Sequence, residues 1–344
     1  MRFIYNIFVH FGFIELLSFL LILVNVFTFF LYALDKAKAK KGARRISEKV
    51  LIFFTIAFGG IGALLGMCFL RHKTRKGKFR VAVVVGLLIA LMPVIHIVHA
   101  ITLDRTVRYL EIEFRSENWP SELDGYRIAF MSDMHVIADE TMREIATELN
   151  ERNLDLLLLG GDFSRRNAHY RGTVREIAQI ITTDGIFGVE GNHDDYERLF
   201  RAKEQYGVRP LDNCGIHIRE RFFLAGVQDM WNREPDIGVA IEDAFKDDFV
   251  LLISHNPDVT KVQSTEGVDL ILSGHAHGGQ ITIFGFPMYL LRGTITNYGT
   301  HFSHGFVYSS EGTPIFTTTG IGVYYYVPRI FARPEVVIFT MYSE

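Results

Sequence analysis

The chain has 344 residues, of which 49% are hydrophobic and 22% are charged, a composition that excludes a disordered or collagen-like protein. Its net charge of −3 conceals a sharp division along the sequence. Residues 1–103 carry 14 Lys and Arg against three acidic residues, a net charge of +11, whereas residues 104–344 carry 22 against 36, a net charge of −14. This division excludes a uniformly basic nucleic-acid-binding protein. Two cysteines are too few for a disulfide scaffold or a cysteine-based zinc site.

The basic part contains three runs without charged residues, Leu16–Leu34, Val50–Leu70 and Val81–Leu103. Each run is about 20 residues long, which is enough for a helix to cross the hydrocarbon core of a bilayer. A cleaved signal peptide does not fit the first run, because Arg2 is the only basic residue before it and no small-residue cleavage site follows. We therefore predict that residues 1–103 form a membrane region with two or three transmembrane helices.

Two basic segments, Asp35–Lys49 and Arg71–Arg80, separate these runs, and the positive-inside rule favours the cytoplasm for both. Three full crossings would put them on opposite sides of the membrane. Either one segment lies at the outer face, or Val50–Leu70, which is interrupted by Gly59-Gly60, forms a re-entrant hairpin. Two of the three arrangements that we considered place residues 104–344 outside the cell. We therefore expect a multi-pass protein of the cell membrane with its polar part at the outer face.

The membrane region also resembles a known family. DKAKAKKGARRISEKV, FGGIGALLG and HKTRKGKF, within residues 20–100, are similar to a small bacterial membrane-domain family of unknown function. This resemblance supports membrane integration and implies no chemistry.

From residue 104 onward, short apolar runs alternate with amphipathic stretches, a pattern typical of a layered α/β or α+β domain. The predicted strands are Arg127–Ser132, Leu154–Leu159, Ile186–Val189, Phe249–Ser254 and Val268–Ser273. Apolar residues at spacings of three and four predict helices over Glu140–Asn153 and Tyr170–Thr182. Further predictions are a hairpin over Ile216–Val227 and late antiparallel strands over Phe306–Ser309, Pro314–Thr318 and Glu335–Met341. Two apolar segments, Gly285–Leu291 and Val323–Val327, either form an apolar approach to the functional site or pack as a loop and an edge strand, and we favour the second interpretation.

Polar side chains follow five of the predicted strands directly. They are Asp133, His135, Asp162, Asn192, His193, His255, His275 and His277. Because the carboxyl ends of neighbouring strands meet in one crevice in α/β folds, we expect these side chains to lie close together. Carboxylate and imidazole ligands without a thiolate suit manganese, iron or zinc. The sequence therefore predicts a site for two divalent metal ions.

The motifs SDMH, GGDF, GNHD, SHNPD and GHAHGGQ, in this order, resemble the calcineurin-like metallophosphoesterase superfamily, and its membrane-associated bacterial branch in particular. The closing FTTTGIGVYYYVPRIFARPEVVIFTM also resembles that branch, and the resemblance covers residues 108–343. It implies a four-layer αββα sandwich with two metal ions between the strand ends. The sequence departs from the branch at Ala276, where threonine is frequent, but this side chain is not a ligand.

The resemblance assigns a role to each polar residue. It implies that Asp162 bridges two metals, that one metal is held by Asp133, His135 and His277, and that the other is held by Asn192, His255 and His275. His193 matches the general acid or transition-state stabiliser, beside a metal-bridging hydroxide that attacks phosphorus. Asp194 and Asp195 either support the site or lie at a helix N-terminus, and we favour the second interpretation for at least one of them.

The predicted function is that of a membrane-anchored phosphoesterase acting on a phosphodiester or pyrophosphate bond. The membrane region favours a lipid-linked substrate, and the branch includes enzymes that act on nucleotide-sugar lipids. The alternative is a non-catalytic membrane sensor or scaffold, against which the complete set of ligand residues argues. A nuclease is disfavoured by the charge of −14, so the expected partners are the lipid bilayer and a phosphate ester, not a nucleic acid.

Overall fold

In the computed structural model, the chain divides into two compact units, Met1–Thr102 and Leu103–Glu344. The structure describes residues 13–102, 106–135, 137–163, 170–194, 197, 205–283, 286–287, 296–297, 301–323 and 329–344. Asp195 and most of the two apolar segments around residues 285–291 and 323–327 lie outside the described residues.

The described part of the N-terminal unit contains four helices, α1 (Phe13–Lys40), α2 (Glu48–Ile56), α3 (Gly60–Leu70) and α4 (Gly77–Thr102). One helix among the described residues, over Ser18–Lys40, is long and apolar enough to cross a membrane. The second apolar run of the sequence forms two helices, of 9 and 11 residues. At about 1.5 Å per residue, neither helix spans a hydrocarbon core about 30 Å thick.

The Asn25 side chain of α1 forms hydrogen bonds with backbone groups at the break between α2 and α3. Phe58 adopts a φ of 65° there, and its carbonyl accepts a hydrogen bond from Asn25 Nδ2 at 3.0 Å. The Gly62 N–H in turn donates to Asn25 Oδ1 at 2.9 Å. Only a glycine fits at position 62, because a Cβ would lie 1.9 Å from the Asn25 carbonyl oxygen. Broken helices are tolerated in lipid where a neighbour satisfies the freed backbone groups, as Asn25 does here.

Two acidic residues join the basic segments that flank the α2–α3 pair. The buried Asp35 carboxylate lies 2.9 Å from Arg45 Nη2 and 2.7 Å from His72 Nε2. Glu48 at the start of α2 forms ion pairs with three residues beyond α3, which are Lys73, Lys76 and Lys78. The chain therefore returns, after α3, to the place where α2 began.

The C-terminal unit contains two six-stranded sheets. The first comprises β1 (Arg108–Ser116), β2 (Tyr126–Met131), β3 (Leu154–Leu159), β4 (Thr182–Gly188), β5 (Val208–Pro210) and β14 (Glu335–Ser343), in the order β1-β14-β2-β3-β4-β5. The second comprises β6 (Cys214–Arg219), β7 (Phe222–Gly226), β8 (Phe249–Ser254), β9 (Leu270–Ser273), β12 (Gly305–Tyr308) and β13 (Pro314–Thr317), in the order β12-β13-β9-β8-β7-β6. Strands β10 (Thr282–Ile283) and β11 (Phe286–Pro287) form a separate pair.

Alternating side chains divide the core of this unit into layers. In β2, Ile128 and Phe130 pack between the two sheets, whereas Ala129 and Met131 face the helices α5 (Asp139–Asn150) and α6 (Tyr170–Ile177). The second sheet behaves in the same way, and its outer face packs on the short helix α7 (Ile237–Ala240) and neighbouring loops. This alternation follows from the period of two in a strand. The αββα sandwich expected from the sequence is confirmed.

The late strands depart in part from the predicted pairing. The hairpin of β6 and β7 is antiparallel, as predicted, and so is the pairing of β12 with β13. However, β13 also runs parallel to β9, and β14 lies parallel to β1 and antiparallel to β2. Each late strand thus has the antiparallel partner expected of it, but β13 and β14 also have parallel neighbours that the sequence analysis did not predict. The alternation of side chains along one strand carries no information about such distant neighbours.

Candidate metal centre

The polar motifs lie beyond the carboxyl ends of parallel strands in both sheets. Strands β2, β3 and β4 are parallel in the first sheet, and β7, β8 and β9 are parallel in the second. Their ends lead into the segments with the candidate ligands, which are Asp133, His135, Asp162, Asn192, His255, His275 and His277. The sandwich thus brings residues from distant parts of the sequence to one edge.

One group of potential ligands consists of Asp133, His135 and His277. All three are buried, and their ligand atoms lie within 4.8 Å of one another. The Nε2 atoms of the two histidines are 3.0 Å apart, and His277 Nε2 is 3.4 Å from Asp133 Oδ1.

A second group consists of Asn192, His255 and His275. Asn192 Oδ1 lies 3.1 Å from His255 Nε2 and 3.0 Å from His275 Nδ1, and these two nitrogens are 3.2 Å apart. The other ring nitrogen of His255, Nδ1, lies 2.7 Å from the carbonyl oxygen of Gly160 and donates to it. In the neutral ring, this bond leaves the Nε2 lone pair directed at the group.

Asp162 lies between the two groups. Its Oδ2 atom is 3.3 Å from His135 Nε2 in the first group and 3.5 Å from His255 Nε2 in the second. The structure therefore brings together all seven residues that the sequence predicts as ligands, with Asp162 next to both groups. Their individual roles as ligands stay predictions.

The donor set fits divalent metal ions. Within each group, the potential ligand atoms lie 3.0–3.9 Å apart. Ligands with bonds of about 2.0–2.1 Å in a tetrahedral arrangement lie about 3.3 Å from one another. Oxygen and imidazole nitrogen ligands are typical of manganese, iron and zinc sites.

The electrostatics of the centre favour positive charge. Burial raises the pKa of Asp133 to about 6 and lowers the pKa of His135 to about 4. Burial also opposes the charges of Asp162 and His255, but their mutual attraction outweighs it. This attraction holds the pKa of Asp162 below its usual range and raises the pKa of His255 to about 10. A buried carboxylate that retains its charge in this way is suited to a cation.

The backbone at the centre is strained. Five of the seven candidate ligands have a positive φ between 38° and 68°, and these are Asp133, His135, Asp162, His275 and His277. Residues other than glycine rarely adopt this region, and each such residue costs about 1–3 kcal/mol. Such strain is concentrated at functional sites, where the surrounding fold holds it in place.

Asp194 supports the segment that carries Asp162. Its Oδ2 accepts hydrogen bonds from the N–H groups of Asp162 at 2.6 Å and Gly191 at 2.9 Å, and its Oδ1 accepts one from Phe163 at 2.9 Å. Of the two interpretations offered for this residue, the structure favours support of the site over a helix N-terminus. Asp195 lies outside the described residues.

His193 adjoins the centre without belonging to either group. Its N–H donates to Asp162 Oδ1 at 2.8 Å, and its ring lies edge-on to the His135 ring with centroids 5.4 Å apart. The side chain is partly exposed. This position is open to a substrate, and the role of His193 as a general acid stays a prediction.

Sequence reasoning did not identify two residues beside the centre. Trp231, in the loop after β7, packs edge-on against the His275 ring with centroids 4.6 Å apart. Arg329 is fully buried and donates to the carbonyls of Thr319 at 2.7 Å and Gly322 at 2.8 Å. Neither follows a predicted strand with a recognised motif. The one available signal was the unusual occurrence of a tryptophan in a polar loop.

The two sheets bring carboxylate, amide and imidazole side chains together in a candidate metal centre, and comparison with known families indicates a metal-dependent phosphoesterase. Residues 126–279 match the family model described as calcineurin-like phosphoesterase. Residues 25–79 match a family described as a protein of unknown function, DUF1294. The resemblances expected from the sequence, to the metallophosphoesterases and to a small N-terminal family of unknown function, are confirmed.

Several curated proteins are similar to the chain. A "transmembrane protein with metallophosphoesterase domain" from Danio rerio is 27% identical over 83% of this chain and 69% of its own length. An "uncharacterized metallophosphoesterase" from Helicobacter pylori is 29% identical over 61% of this chain and 57% of its own length. The chain therefore spans little more than half the length of that relative. A crystal structure of a dimetal phosphatase from Danio rerio matches with a TM-score of 0.39 and 10% identity, over 64% of this chain and 93% of its own.

Proposed function

We propose that the chain is a membrane-anchored hydrolase of phosphodiester or pyrophosphate bonds that works with two divalent metal ions. The observation that carries this proposal is the position of Asp162, whose Oδ2 lies within 3.5 Å of a histidine nitrogen in each ligand group. A carboxylate shared by two groups is suited to holding two cations close together.

One ion is assigned to Asp133, His135 and His277, and the other to Asn192, His255 and His275, with Asp162 shared by both. Manganese, iron and zinc all suit this donor set. When bound, two such ions supply Lewis acidity, which activates water for attack and offsets the negative charge of the phosphate. The His255 Nδ1–H bond to Gly160 orients its ring, and Asp194 holds the Asp162 segment through its backbone.

We assign to His193 the role of the general acid that protonates the leaving group. Its backbone N–H is bound to Asp162 Oδ1, and its partly exposed side chain stands beside His135 at the rim of the centre. An imidazolium in this position donates its proton to the departing oxygen as the ester bond breaks. General acid catalysis of this kind contributes about 10²–10⁴-fold.

The ion pairs of the N-terminal unit support a particular membrane arrangement. Asp35 and Glu48 link the segments before α2 and after α3, so both basic segments lie at one membrane face. The positive-inside rule assigns that face to the cytoplasm. The α2–α3 pair is then a re-entrant hairpin, α1 and α4 cross the membrane, and residues 104–344 lie outside the cytoplasm.

The substrate class follows from anchoring and charge. An enzyme held at a bilayer meets lipid-linked or membrane-proximal phosphate esters first, including nucleotide-sugar lipids. The net charge of −14 on residues 104–344 repels long nucleic acids. Two ions at the centre would offset this charge locally for a small ester.

Hydrolysis assays on the full chain in detergent micelles with added Mn²⁺ test the proposed activity. We expect turnover of bis-p-nitrophenyl phosphate and of a lipid pyrophosphate, little turnover of RNA or DNA, and loss of turnover in Asp162→Asn. If metal binds but no ester is hydrolysed, the non-catalytic sensor is the correct alternative.

The sidedness is tested with single cysteines in a chain whose Cys68 and Cys214 are replaced by serine. Ala43→Cys reports on the first basic segment and Ser121→Cys on the C-terminal unit, and both positions are exposed. In intact cells, a membrane-impermeant maleimide should label Ser121→Cys and not Ala43→Cys. The reverse pattern would place the enzyme in the cytoplasm.

A further inference from the structure

We propose that Trp231 is a specificity-determining residue that binds a planar or apolar group attached to the scissile phosphate. This inference rests on the proposed function, since it takes the centre to be the place where the phosphate binds. Trp231 is 51% exposed, whereas the only other tryptophan, Trp119, is 2% exposed and lies between the sheets.

The position of Trp231 is set by contact with the centre. The indole packs edge-on against His275, whose Nδ1 atom belongs to the second ligand group. The next residue, Asn232, donates from its Nδ2 to the carbonyl oxygen of Asn192 at 2.7 Å. Two contacts from adjacent residues thus tie this loop to two candidate ligands.

The loop is also held from within. The buried Asp229 accepts hydrogen bonds on its Oδ2 from the N–H groups of Trp231 and Asn232, each at 2.9 Å. Arg233 pairs with Glu190 at 3.1 Å and with Asp212 at 2.8 Å. A large apolar side chain on a mobile loop would lose much of its binding energy to ordering, but these bonds order Trp231 in advance.

The exposed indole surface therefore forms an apolar wall beside a centre whose candidate ligands are carboxylate, amide and imidazole groups. Exposed tryptophan surface is stabilised by contact with a flat ring or an apolar chain. The substrate chemistry that fits is a phosphate ester with such a group one bond from the phosphate. A small hydrophilic ester would leave the wall uncovered.

Two phosphonates of equal charge isolate this contact, because their P–C bond is not hydrolysed. Binding of phenylphosphonate and methylphosphonate to the Mn²⁺-loaded full chain is measured by calorimetry. We expect phenylphosphonate to bind roughly tenfold more tightly or better, from aromatic stacking. Trp231→Ala should abolish the difference and Trp231→Phe should retain most of it, while both keep the metal content of the wild type. An unchanged ratio in Trp231→Ala would overturn the proposal.

A kinetic comparison gives a second readout. Bis-p-nitrophenyl phosphate and methyl p-nitrophenyl phosphate release the same leaving group and differ only in the retained group. Trp231→Ala should raise KM for the first ester several-fold with little change in kcat, and should leave the second nearly unaffected. Equal loss on both esters would overturn the proposal. Absence of turnover in the wild type would contradict the proposed function alone, because the phosphonate ratio tests Trp231 without catalysis.

Discussion

The Nε2 atoms of His135 and His277 lie 3.0 Å apart although 142 residues separate them in the sequence. His135 follows β2 of the first sheet, and His277 follows β9 of the second. An ion held by both histidines therefore joins the two sheets. The metal centre is thus expected to contribute to folding as well as to catalysis, because the unfolded chain cannot assemble this donor set.

Metal removal should lower the melting temperature of the protein. A ligand that binds the native state alone stabilises it by about 4 kcal/mol at 1,000 times its dissociation constant. We expect chelation by EDTA to lower Tm by several degrees or more, and added Mn²⁺ or Zn²⁺ to restore it. Scanning calorimetry measures Tm, and the control is the same scan with a chelator that is already saturated with metal. A Tm that does not respond to chelation would contradict the binding of metal ions to the native centre.

Asp162→Asn and His193→Ala should differ in metal content. The first removes the negative charge shared by the two ligand groups, so we expect loss of at least one metal ion per chain and of activity. The second leaves every candidate ligand in place, so metal content should stay close to two, while kcat falls by roughly two to four decades. Elemental analysis and steady-state rates measure both effects.

The loss in His193→Ala should depend on the leaving group. An aryl phosphodiester, whose leaving group needs little protonation, should be slowed less than an alkyl phosphodiester. Equal slowing of both esters, or metal loss as severe as in Asp162→Asn, would contradict the assignment of His193 as the leaving-group acid.

Asp194→Ala should destabilise the Asp162 segment. Three backbone N–H groups lose their acceptor, and an unsatisfied buried donor costs about 1–3 kcal/mol. We expect a lower free energy of unfolding and weaker metal binding. The matched control is Asp236→Ala, which removes the side-chain acceptor for the Val239 N–H at the N-terminus of α7 and should cost about 1 kcal/mol without affecting the metal. Similar metal affinities in the two variants would disprove a supporting role for Asp194.

Asp35→Ala should destabilise the N-terminal unit more than Glu48→Gln. The Asp35 side chain is fully buried against the mostly buried His72 and Lys73, and removal of one partner from a buried ion pair costs about 3–5 kcal/mol. Of the three partners of Glu48, the buried Lys73 keeps Asp35 as a second partner in Glu48→Gln. Lys76 and Lys78 are about half exposed, and pairs of this kind contribute about 1 kcal/mol or less. The two variants are compared by thermal unfolding in detergent, monitored by the helical circular-dichroism signal. Equal losses would argue against the buried link between the basic segments.

Residues 104–344 should fold as a soluble metalloenzyme when expressed alone. The three apolar runs end before this point, and all the candidate ligands lie beyond it. We expect a monodisperse fragment that binds metal and hydrolyses bis-p-nitrophenyl phosphate. Gel filtration with metal present tests this boundary. Aggregation of the fragment beside a well-behaved full chain would show that the catalytic unit depends on the membrane unit.

The sequence alone was sufficient to locate the candidate centre. Residues such as Asp133, Asp162 and His255 each follow a short apolar run, and the carboxyl end of a buried strand is where a polar side chain leaves the apolar core and meets polar groups from neighbouring strands. The period of two within β2 likewise places Ile128 and Phe130 on one face of the sheet and Ala129 and Met131 on the other. These are local properties, because they depend on residues adjacent in the chain.

The remaining features depend on contacts between distant segments. The parallel pairing of β13 with β9 and the position of β14 between β1 and β2 could not be read from either strand alone. The packing of Trp231 on His275 and the contact of His72 with Asp35 likewise join segments that are distant in the sequence. A residue's own neighbours in the sequence decide whether it is buried and in which element, but its partners across the fold are decided by how the layers and helices pack together.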